Sequence, residues 1–413
     1  MSATMVRRPI LLVCLAVFGL MTGQQMVNPI LPPLARELGF SELALGIVWT
    51  VGASGVVLAS SFWSRRSMSW GHRPVLLISL TGSMVGLLTF AVVAQIGLAG
   101  VLAGPLLFTL ILLSRGVVFG IAWAATPVAA QSYVADVTSG TDERVRGMSM
   151  VGAAQGLGLA VGPALGGALG LAGLLVPLYV APAVLVVIAV LAAVGLPKPQ
   201  AHRVRPPTVR LSPFDRRMWP FLAAGFGMYL AFGLVLMTIG FLVQDRLQLT
   251  AEQTGQSTGL VMLAGASMLI LVQAVAVPRL GWAPTRLIRV GAVVMTAGMV
   301  LVTIAANGLL LGAGMAVLGA GLGFCLPGVT AAPTLLATRD EQGAVVGLVG
   351  TSNAITFLLG PLLGTGLYEI APAAPYLLGT VLLAGLAVFA FAHPGISRTP
   401  AAAPVPMKGQ VAR

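Results

Sequence analysis

Long apolar stretches, separated by short polar segments, recur from one end of the 413-residue chain to the other. Each stretch is about 20 residues long, the length that an α-helix needs to cross the hydrocarbon core of a bilayer. The pattern predicts twelve helices, at residues 10–34, 44–63, 74–96, 102–134, 148–170, 173–196, 219–243, 254–277, 287–306, 309–336, 343–367 and 372–393. The sequence therefore predicts an all-α membrane protein.

The composition supports this interpretation and excludes several classes of protein. Apolar residues make up 57% of the chain and charged residues only 8%, whereas soluble domains have about 25% charged residues. The sequence has no nucleotide-binding glycine loop ending in Gly-Lys-Ser/Thr, and no Cys/His cluster with the spacing of a metal site. We therefore expect neither an enzyme nor an ATP-driven pump, and no cofactor or metal.

The distribution of basic residues predicts how the chain crosses the membrane. The net charge of +12 on its own also suits a nucleic-acid-binding protein. With the N-terminus in the cytoplasm, however, twenty Lys and Arg lie on the cytoplasmic side, and only Arg36 and Arg246 lie outside. This asymmetry follows the positive-inside rule. It predicts a multi-pass protein of a bacterial inner membrane, with both termini cytoplasmic and no nucleic-acid partner.

The N-terminal segment also resembles a signal peptide, because Arg7 and Arg8 precede an apolar run. That run is longer than a typical signal-peptide core, and no small-x-small cleavage site precedes Gln24. We therefore expect an uncleaved first helix.

One long polar stretch divides the predicted helices into two groups of six. Residues 197–218 contain several basic residues and a pair of prolines, which is typical of a cytoplasmic linker. We expect six-helix halves at 1–196 and 219–395, followed by a disordered cytoplasmic tail at 396–413.

The two halves share a sequence pattern. In each, an acidic pair precedes a Gly-Pro pair by 20 residues, and the copies align without gaps at an offset of 198 residues. The copies are Asp142-Glu143 with Gly162-Pro163, and Asp340-Glu341 with Gly360-Pro361; a weaker match pairs Ser41 and Gly46 with Thr250 and Gly255. Such halves typically enclose a midplane substrate site and rock around it. Chance similarity between glycine-rich helices is the alternative.

The predicted fifth helix has features of a helix that moves against a partner. Gly158, Gly162 and Gly166 share one helix face, and small residues at this spacing allow close helix packing in membranes. Pro163 removes a backbone hydrogen bond and tends to bend the helix. The pattern predicts a tightly packed, bent helix, and Gly360-Pro361 predicts a second one.

Four segments resemble motifs of the major facilitator superfamily, and specifically its twelve-helix drug:proton antiporter branch. They are the antiporter-like run from Gly158 to Gly167, the loop from Trp63 to Leu77, Arg115-x4-Gly120, and the segment from Tyr133 to Gly147. Three departures concern the loop, where Ser64, Met68 and Ser69 replace the usual glycine, acid and arginine. Ser149 replaces the leading glycine of the antiporter-like run, and one extra residue lies between Arg115 and Gly120. The resemblance implies a major facilitator fold with two pseudo-symmetric halves and secondary transport.

Arg115 is the one charged residue that the pattern places well inside the membrane. Charge at this depth is costly, and it usually has a partner or a watered cavity. As the resemblance implies, Arg115 contacts the first helix, the substrate or a proton pathway. The alternative is a structural arginine that donates to backbone carbonyls or to Gln24 and Gln25.

None of the eleven acidic residues falls in the middle of a predicted helix, although proton-coupled carriers generally use a buried carboxylate. If protons are coupled, we expect them to use Asp136 or an acid at an outer helix end. The alternative for Asp136 is an interfacial ion pair with Arg73, Arg144 or Arg146, which could also act as a gating latch. His72 is expected to replace an arginine as a cation of the loop.

The candidate substrate site consists of polar and aromatic residues at plausible depth in helices 1, 4, 5, 7, 10 and 11. They are Gln24, Gln25, Asn28, Arg115, Trp123, Gln155, Tyr229, Phe324 and Asn353. Apolar walls with a few convergent polar groups are typical of small-molecule sites. The candidate coupling or gating residues are Arg73, Asp136, Arg144, Gly158, Gly162, Pro163, Gly166, Gly360 and Pro361. Each polar residue could instead merely bridge helices.

Three functions remain open at this point. The favoured one is a monomeric multidrug exporter of small amphiphilic molecules, driven by proton antiport. The second is a carrier of a specific metabolite, such as a siderophore, sugar or amino acid, without strict proton coupling. The third is a non-transporting sensor or scaffold.

Overall fold

The structure is a computed structural model, and it describes residues 3–138, 141–196, 212–338 and 341–397. In these ranges it contains twelve helices that are long and apolar enough to cross a membrane. We label them in order α1 to α12: Pro9–Glu37, Glu42–Ser67, His72–Leu98, Gly104–Val134, Arg146–Gly170, Val176–Gly195, Trp219–Leu247, Ala251–Leu280, Pro284–Ile304, Gly308–Leu336, Gly347–Ile370 and Ala374–Ala392. Each predicted helix overlaps one of them, so the predicted all-α membrane fold is confirmed.

The segment that connects α6 to α7 is described only from residue 212, where turns lead into α7 at Trp219. The earlier part of the predicted linker lies outside the described residues. The same is true of the tail beyond residue 397. Immediately before it, Pro394–Ser397 forms a short helix.

Local sequence explains where two corresponding helices begin. The Ser41 hydroxyl accepts a hydrogen bond from the Ala44 N–H at the start of α2, at 3.3 Å. Thr250 and Gln253 form a capping box at the start of α8, which satisfies backbone N–H groups that have no partner within the helix. The weaker match in the sequence pairs Ser41 with Thr250, and both are N-cap residues.

The first six helices pack largely on one another, and so do the last six. In the first group α1 contacts α5 and α6, while α2 contacts α4 and α3 contacts α6. In the second group α7 contacts α11 and α12, while α10 contacts α8 and α9. Extensive contacts between the groups join α5 to α8 and α2 to α11.

The glycine ladder of α5 packs against α1. A Cβ atom at Gly158 would lie 2.5 Å from the Cβ of Met21, and one at Gly162 would lie 2.9 Å from the carbonyl oxygen of Thr22. At Gly166 a Cβ would collide with the backbone carbonyl of Met26. Glycine therefore allows backbone contact along α5.

The corresponding stretch of α11 also packs against α7, although less closely. A Cβ at Gly360 would lie 3.5 Å from the Cα of Gly233, and one at Gly364 would lie 3.2 Å from the Leu234 carbonyl oxygen. Pro163 and Pro361 lie inside helices that continue past them. The sequence repeat therefore corresponds to a repeated helix pair.

Candidate functional site

The two groups of helices meet at the end of the molecule where the chain passes from α1 to α2. We call this end the outer side, in line with the distribution of basic residues. The hydroxyl of Thr50 in α2 donates a hydrogen bond to the Leu358 carbonyl in α11, at 3.3 Å. In the second contact between the two groups, a Cβ at Gly167 of α5 would lie 3.0 Å from the Cα of Gly259 in α8. Thr50, Gly167 and Gly259 lie in the outer halves of α2, α5 and α8, and Leu358 lies at the midpoint of α11.

An ion-pair cluster of Arg36, Glu42, Asp245 and Tyr368, here called the outer cluster, closes the outer side. The guanidinium of Arg36 donates to both carboxylate oxygens of Asp245, at 2.5 and 2.9 Å, and to Glu42 at 2.7 Å. The Tyr368 hydroxyl donates to Asp245 at 2.7 Å. Because bidentate charge-assisted hydrogen bonds are strong and directional, the cluster ties α1 and α2 to α7 and α11.

At the inner ends of α5 and α11, the helix faces that contact the other group on the outer side lack such close contacts. Gly152 and Gly156 lie about three and two turns before Pro163, on the face of α5 that contacts α8. A Cβ at either glycine would meet nothing within 4 Å, and the same holds for Gly350 in α11. Among the described residues, the hydrogen bonds between the two groups of helices all lie on the outer side. The gap between the halves therefore opens inward.

Two candidate site residues form a polar pair in the first helix. The Asn28 amide nitrogen donates to the Gln25 carbonyl oxygen at 2.8 Å, and both side chains are buried. The Gln25 amide nitrogen and the Asn28 carbonyl oxygen have no partner. Gln25 and Asn28 line two neighbouring small voids between the halves, and Met262 of α8 lines both. The pair, here called the amide pair, thus has one free donor and one free acceptor at the interface.

Other predicted site residues are distributed over both halves. Tyr229 of α7 lies close to Asn353 of α11, whereas Gln24 and Trp123 each have a buried polar atom without a partner. Phe324 stacks on Trp282 at the inner end of α8, with 5.9 Å between ring centroids.

Phe324 therefore lies apart from the amide pair. Gln155 is half-buried on the inner half of α5.

Sequence patterns do not single out three further residues that have an unpartnered hydroxyl or a place at this interface: Thr22, Thr258 and Trp49. Thr22 and Thr258 have buried hydroxyls without partners, and Trp49 lines the void that also contains Asn28. Threonine in a membrane helix usually donates to a carbonyl of its own helix, as Thr238 does at 2.7 Å. Sequence alone does not distinguish an unpartnered threonine from this common case.

Arg115 lies inside the first half, on a wide π-helical turn at Leu112–Val118. Its side chain is only 5% exposed. The guanidinium lies over the rings of Trp49, at 4.8 Å, and Phe119, at 4.3 Å. Its Nε and Nη2 atoms have no hydrogen-bond partner. Gln24 and Gln25, which the sequence suggested as partners, do not accept hydrogen bonds from these atoms.

Comparison of the sequence with models of known families shows the family of this chain. The family model for the Major Facilitator Superfamily matches residues 13–361. The chain belongs to the major facilitator superfamily. It is accordingly a transporter and not an enzyme, and the predicted membership is confirmed.

Similar superfamily members include tetracycline resistance proteins. The class C protein of Escherichia coli is 28% identical over 397 residues, covering 91% of this chain and 93% of that protein. The class G protein of Vibrio anguillarum is 29% identical over 377 residues, covering 88% and 91%.

Solved structures share the superfamily fold at low sequence identity. The nucleoside transporter NupG has a TM-score of 0.70 at 14% identity, with 95% of this chain and 99% of that chain covered. A bacterial homologue of the human lysosomal transporter Spinster, in an inward-facing and occupied conformation, has a TM-score of 0.70 at 14% identity, covering 96% and 98%.

The superfamily-like segment between α2 and α3 contacts Asp136 through His72, which is not among the expected ion-pair partners. The Nε2 of His72 lies 2.6 Å from the carboxylate of Asp136, and Ser67 contacts the other ring nitrogen at 2.7 Å. Arg73, one of the three arginines offered as an ion-pair partner of Asp136, does not contact it among the described contacts. Arg73 follows His72 on α3, about 100° further around the helix, and donates to the Ala193 carbonyl in α6 at 2.5 Å.

Of the other predicted partners of Asp136, Arg146 is exposed. The side chain of Arg144 lies outside the described residues. The His72–Asp136 pair joins helices of the first half only, so it does not latch the two halves together in this conformation.

A second inner cluster joins the described end of the linker to the segment before α11. Arg217 donates to Asp215 at 3.0 Å and to Glu341 at 3.1 Å. The hydrogen bonds from Arg217 lower the pKa of Asp215. A backbone hydrogen bond from Thr338, and then the one from Arg217, lower the pKa of Glu341. These contacts fix the residues that precede α7 to the segment before α11, within the second group of helices.

Proposed function

We propose that this protein is a secondary transporter that exports a small amphiphilic, drug-like molecule across the bacterial inner membrane by alternating access. The observation that carries the proposal is the amide pair, because two unpartnered polar atoms lie where the halves meet. The outer side is closed by the outer cluster and the inner side is open, as loading from the cytoplasm requires. Similarity to tetracycline resistance proteins supports export of a drug-like compound.

In this proposal the substrate contacts the amide pair and the apolar surface around it. Phe232 and Leu236 of α7 and Met262 of α8 form the facing wall. Methionine adapts its shape to varied ligands, and the free amide atoms supply orientation. Thr258 of α8 and the Tyr229–Asn353 pair extend the polar surface into the second half. The other predicted site residues, Gln24, Trp123, Gln155 and Phe324, keep their proposed roles as more distant contacts.

The gating roles belong to the repeated glycine helices. Gly158, Gly162 and Gly166 hold α5 on α1, so the two helices move as one body. The carbonyl of Pro163 contacts the glycine surface of α8, since a Cβ at Gly259 would lie 2.7 Å from it. Gly360 and Pro361 have the equivalent positions in α11. Rocking would therefore open the α5–α8 and α2–α11 contacts together.

Proton coupling is proposed to involve Asp245 in the outer cluster. Opening the outer side separates Asp245 from Arg36, and a carboxylate that loses its cationic partner gains affinity for a proton. Protons outside would then favour the outward-open state. Asp136 is the other candidate, because its carboxylate lies 2.6 Å from the imidazole of His72.

A second candidate function is the carriage of a specific metabolite. The free donor and acceptor of the amide pair, fixed by the Gln25–Asn28 hydrogen bond, suit one defined hydrogen-bonding ligand better than a series of lipophilic compounds. We therefore keep this function as the alternative.

Reconstitution distinguishes these functions. Purified protein in liposomes is given a pH gradient, and a panel of tetracycline, lipophilic cations and a siderophore is followed together with an internal pH dye. Substrate-dependent proton flux is the result expected for the antiporter. Substrate movement that ignores the gradient supports the uncoupled carrier, and no movement of any compound contradicts both.

A further inference from the structure

Arg115 lines a void of its own inside the first half of the molecule. The void runs between α1, α2, α3 and α4 from Arg115 towards Phe108, a distance of about 10 Å along α4. It has room for about two water molecules. Trp49 lines this void and also the neighbouring void that contains Asn28. Its indole therefore separates Arg115 from the interface between the halves.

The side chains around this void donate hydrogen bonds but do not accept them. Arg115 and Trp49 are its polar side chains, and the others are aliphatic or phenylalanine. Arginine and tryptophan side chains are donors only. A buried water needs about three hydrogen-bond partners, including acceptors for its own protons. An anion needs donors alone, and the guanidinium of Arg115 supplies them at one end of this otherwise apolar void.

The charge of Arg115 requires the same kind of occupant. Among the described residues no carboxylate forms an ion pair with Arg115, and the sequence has no Asp or Glu between Glu42 and Asp136. Stacking on Trp49 and Phe119 offsets part of the cost of burying the guanidinium. Its Nε and Nη2 atoms still have no acceptor, and unpaired charge at this depth is strongly disfavoured.

We propose that this void binds a small monovalent anion, a halide or a carboxylate group, at the guanidinium of Arg115. One halide or one carboxylate group matches the space and neutralises the charge. The anion comes either from solution or from the acidic group of a transported molecule that displaces Trp49. This inference concerns binding and does not depend on the proposed transport function.

Anion-dependent stability of the full-length protein provides the first test. The thermal unfolding midpoint is measured in sodium chloride, sodium formate and sodium gluconate at equal ionic strength, because gluconate is too large for the void. Chloride or formate is expected to raise the midpoint in a saturable way, by the linkage between ligand binding and stability.

Tryptophan fluorescence provides the second test, because heavy halides quench an indole only at close range. Bromide is expected to quench a saturable fraction of the emission of the six tryptophans. That fraction should disappear in Trp49→Phe and in Arg115→Gln. Arg286→Gln is the matched control, since Arg286 stacks on Trp282 at 4.3 Å on an exposed surface.

The outcomes separate the two kinds of anion. A response to chloride and bromide identifies a halide site, whereas a response to formate without one to halides identifies a site for a carboxylate group. Equal unfolding midpoints in all salts, together with bromide quenching that is the same in wild type and Trp49→Phe, would overturn the proposal. Both measurements on the wild type and Trp49→Phe remain decisive if Arg115→Gln does not fold.

Discussion

At the scale of single residues, the interface between the halves combines buried neutral polar groups with incomplete hydrogen bonding. Gln25 and Asn28 satisfy each other once, and each keeps one atom without a partner. Unsatisfied polar atoms inside a membrane protein are costly. A substrate that accepts from Gln25 and donates to Asn28 would remove that cost. The incomplete bonding is therefore itself an argument for a ligand.

Replacing Asn28 tests this argument. Asn28→Ala removes the free acceptor and frees the Gln25 carbonyl oxygen. A lost ligand hydrogen bond of about 1 to 1.5 kcal/mol should raise the KM for transport by about 5- to 10-fold. Initial rates of uptake into inside-out vesicles measure this change.

Gln95→Ala is the matched control for Asn28→Ala. The Gln95 amide bonds to Tyr179 on an exposed surface near the outer end of α3, so its loss should leave KM unchanged. An unchanged KM in Asn28→Ala would contradict the role of the amide pair.

Arg115 is expected to be indispensable for transport, whichever anion it binds. Arg115→Ala removes the only charge within the first-half void and leaves two aromatic rings without their cation, so we expect transport to fall to the level of empty liposomes. Arg115→Lys keeps the charge but not the planar donor geometry, and it should retain part of the activity. Size-exclusion chromatography and membrane insertion show whether each variant folds. Wild-type rates in a folded Arg115→Ala would refute the expectation.

At the scale of helices, much of the architecture follows from sequence because it depends on local patterns. Apolar length predicts the twelve spans, and glycine spacing predicts which face of α5 packs closely. One extra residue between Arg115 and Gly120 coincides with the π-helical turn at Leu112–Val118, since a π-bulge accommodates one additional residue in a helix. These features need no knowledge of distant parts of the chain.

The polar contacts of the helix ends were much less predictable. Arg36 meets Asp245 across 209 positions of sequence, and periodicity does not identify such a partner. The contact between Asp136 and His72 was unpredictable for a similar reason. His72 and Arg73 are adjacent in sequence, but a rotation of about 100° per residue directs them to different helices. Side-chain direction at a helix end, not residue type, decides the ion pair.

The glycine ladder gives a prediction at this scale. Gly166→Ala places a Cβ against the backbone carbonyl of Met26, where no flexible side chain can yield. Overpacking of this kind costs about 1–3 kcal/mol. We expect a lower thermal unfolding midpoint and slower transport, measured on purified protein and in liposomes.

Gly152→Ala on the same helix is the matched control for Gly166→Ala. A Cβ there meets nothing within 4 Å, and alanine favours a helix over glycine. The midpoint of this variant should stay the same or rise slightly. Equal midpoints in the two variants would contradict close α1–α5 packing.

At the scale of the whole molecule, the contacts between the halves are unequal on the two sides. The outer side has the outer cluster, the α5–α8 glycine contact and the Thr50–Leu358 hydrogen bond, while the inner ends of the same helix faces are apart. A transporter with two states requires that the contacts of one state break when those of the other form. The outer cluster should therefore set the balance between inward- and outward-open states.

Breaking the outer cluster should shift that balance outward. Arg36→Ala removes every charged contact between α1 and Asp245, so the outer side should open more often. Single cysteines replacing Met237, which lines a void below the outer cluster, and Gly350, at the inner opening, report the two sides after both native cysteines are replaced by serine. Membrane-impermeant maleimide added outside should then label Met237→Cys faster, and maleimide added to inside-out vesicles should label Gly350→Cys more slowly.

The opposite signs of the two labelling changes are what distinguish rocking from local loosening. If Arg36→Ala merely loosened the outer helix ends, Met237→Cys would react faster while Gly350→Cys kept its rate. Arg246→Ala provides the matched control, because Arg246 also lies at the outer end of α7 but donates to carbonyls of its own half, including Val302 at 3.3 Å. It should change neither rate. Coupled and opposite changes in Arg36→Ala alone would mean that a contact at one side of the membrane controls access at the other.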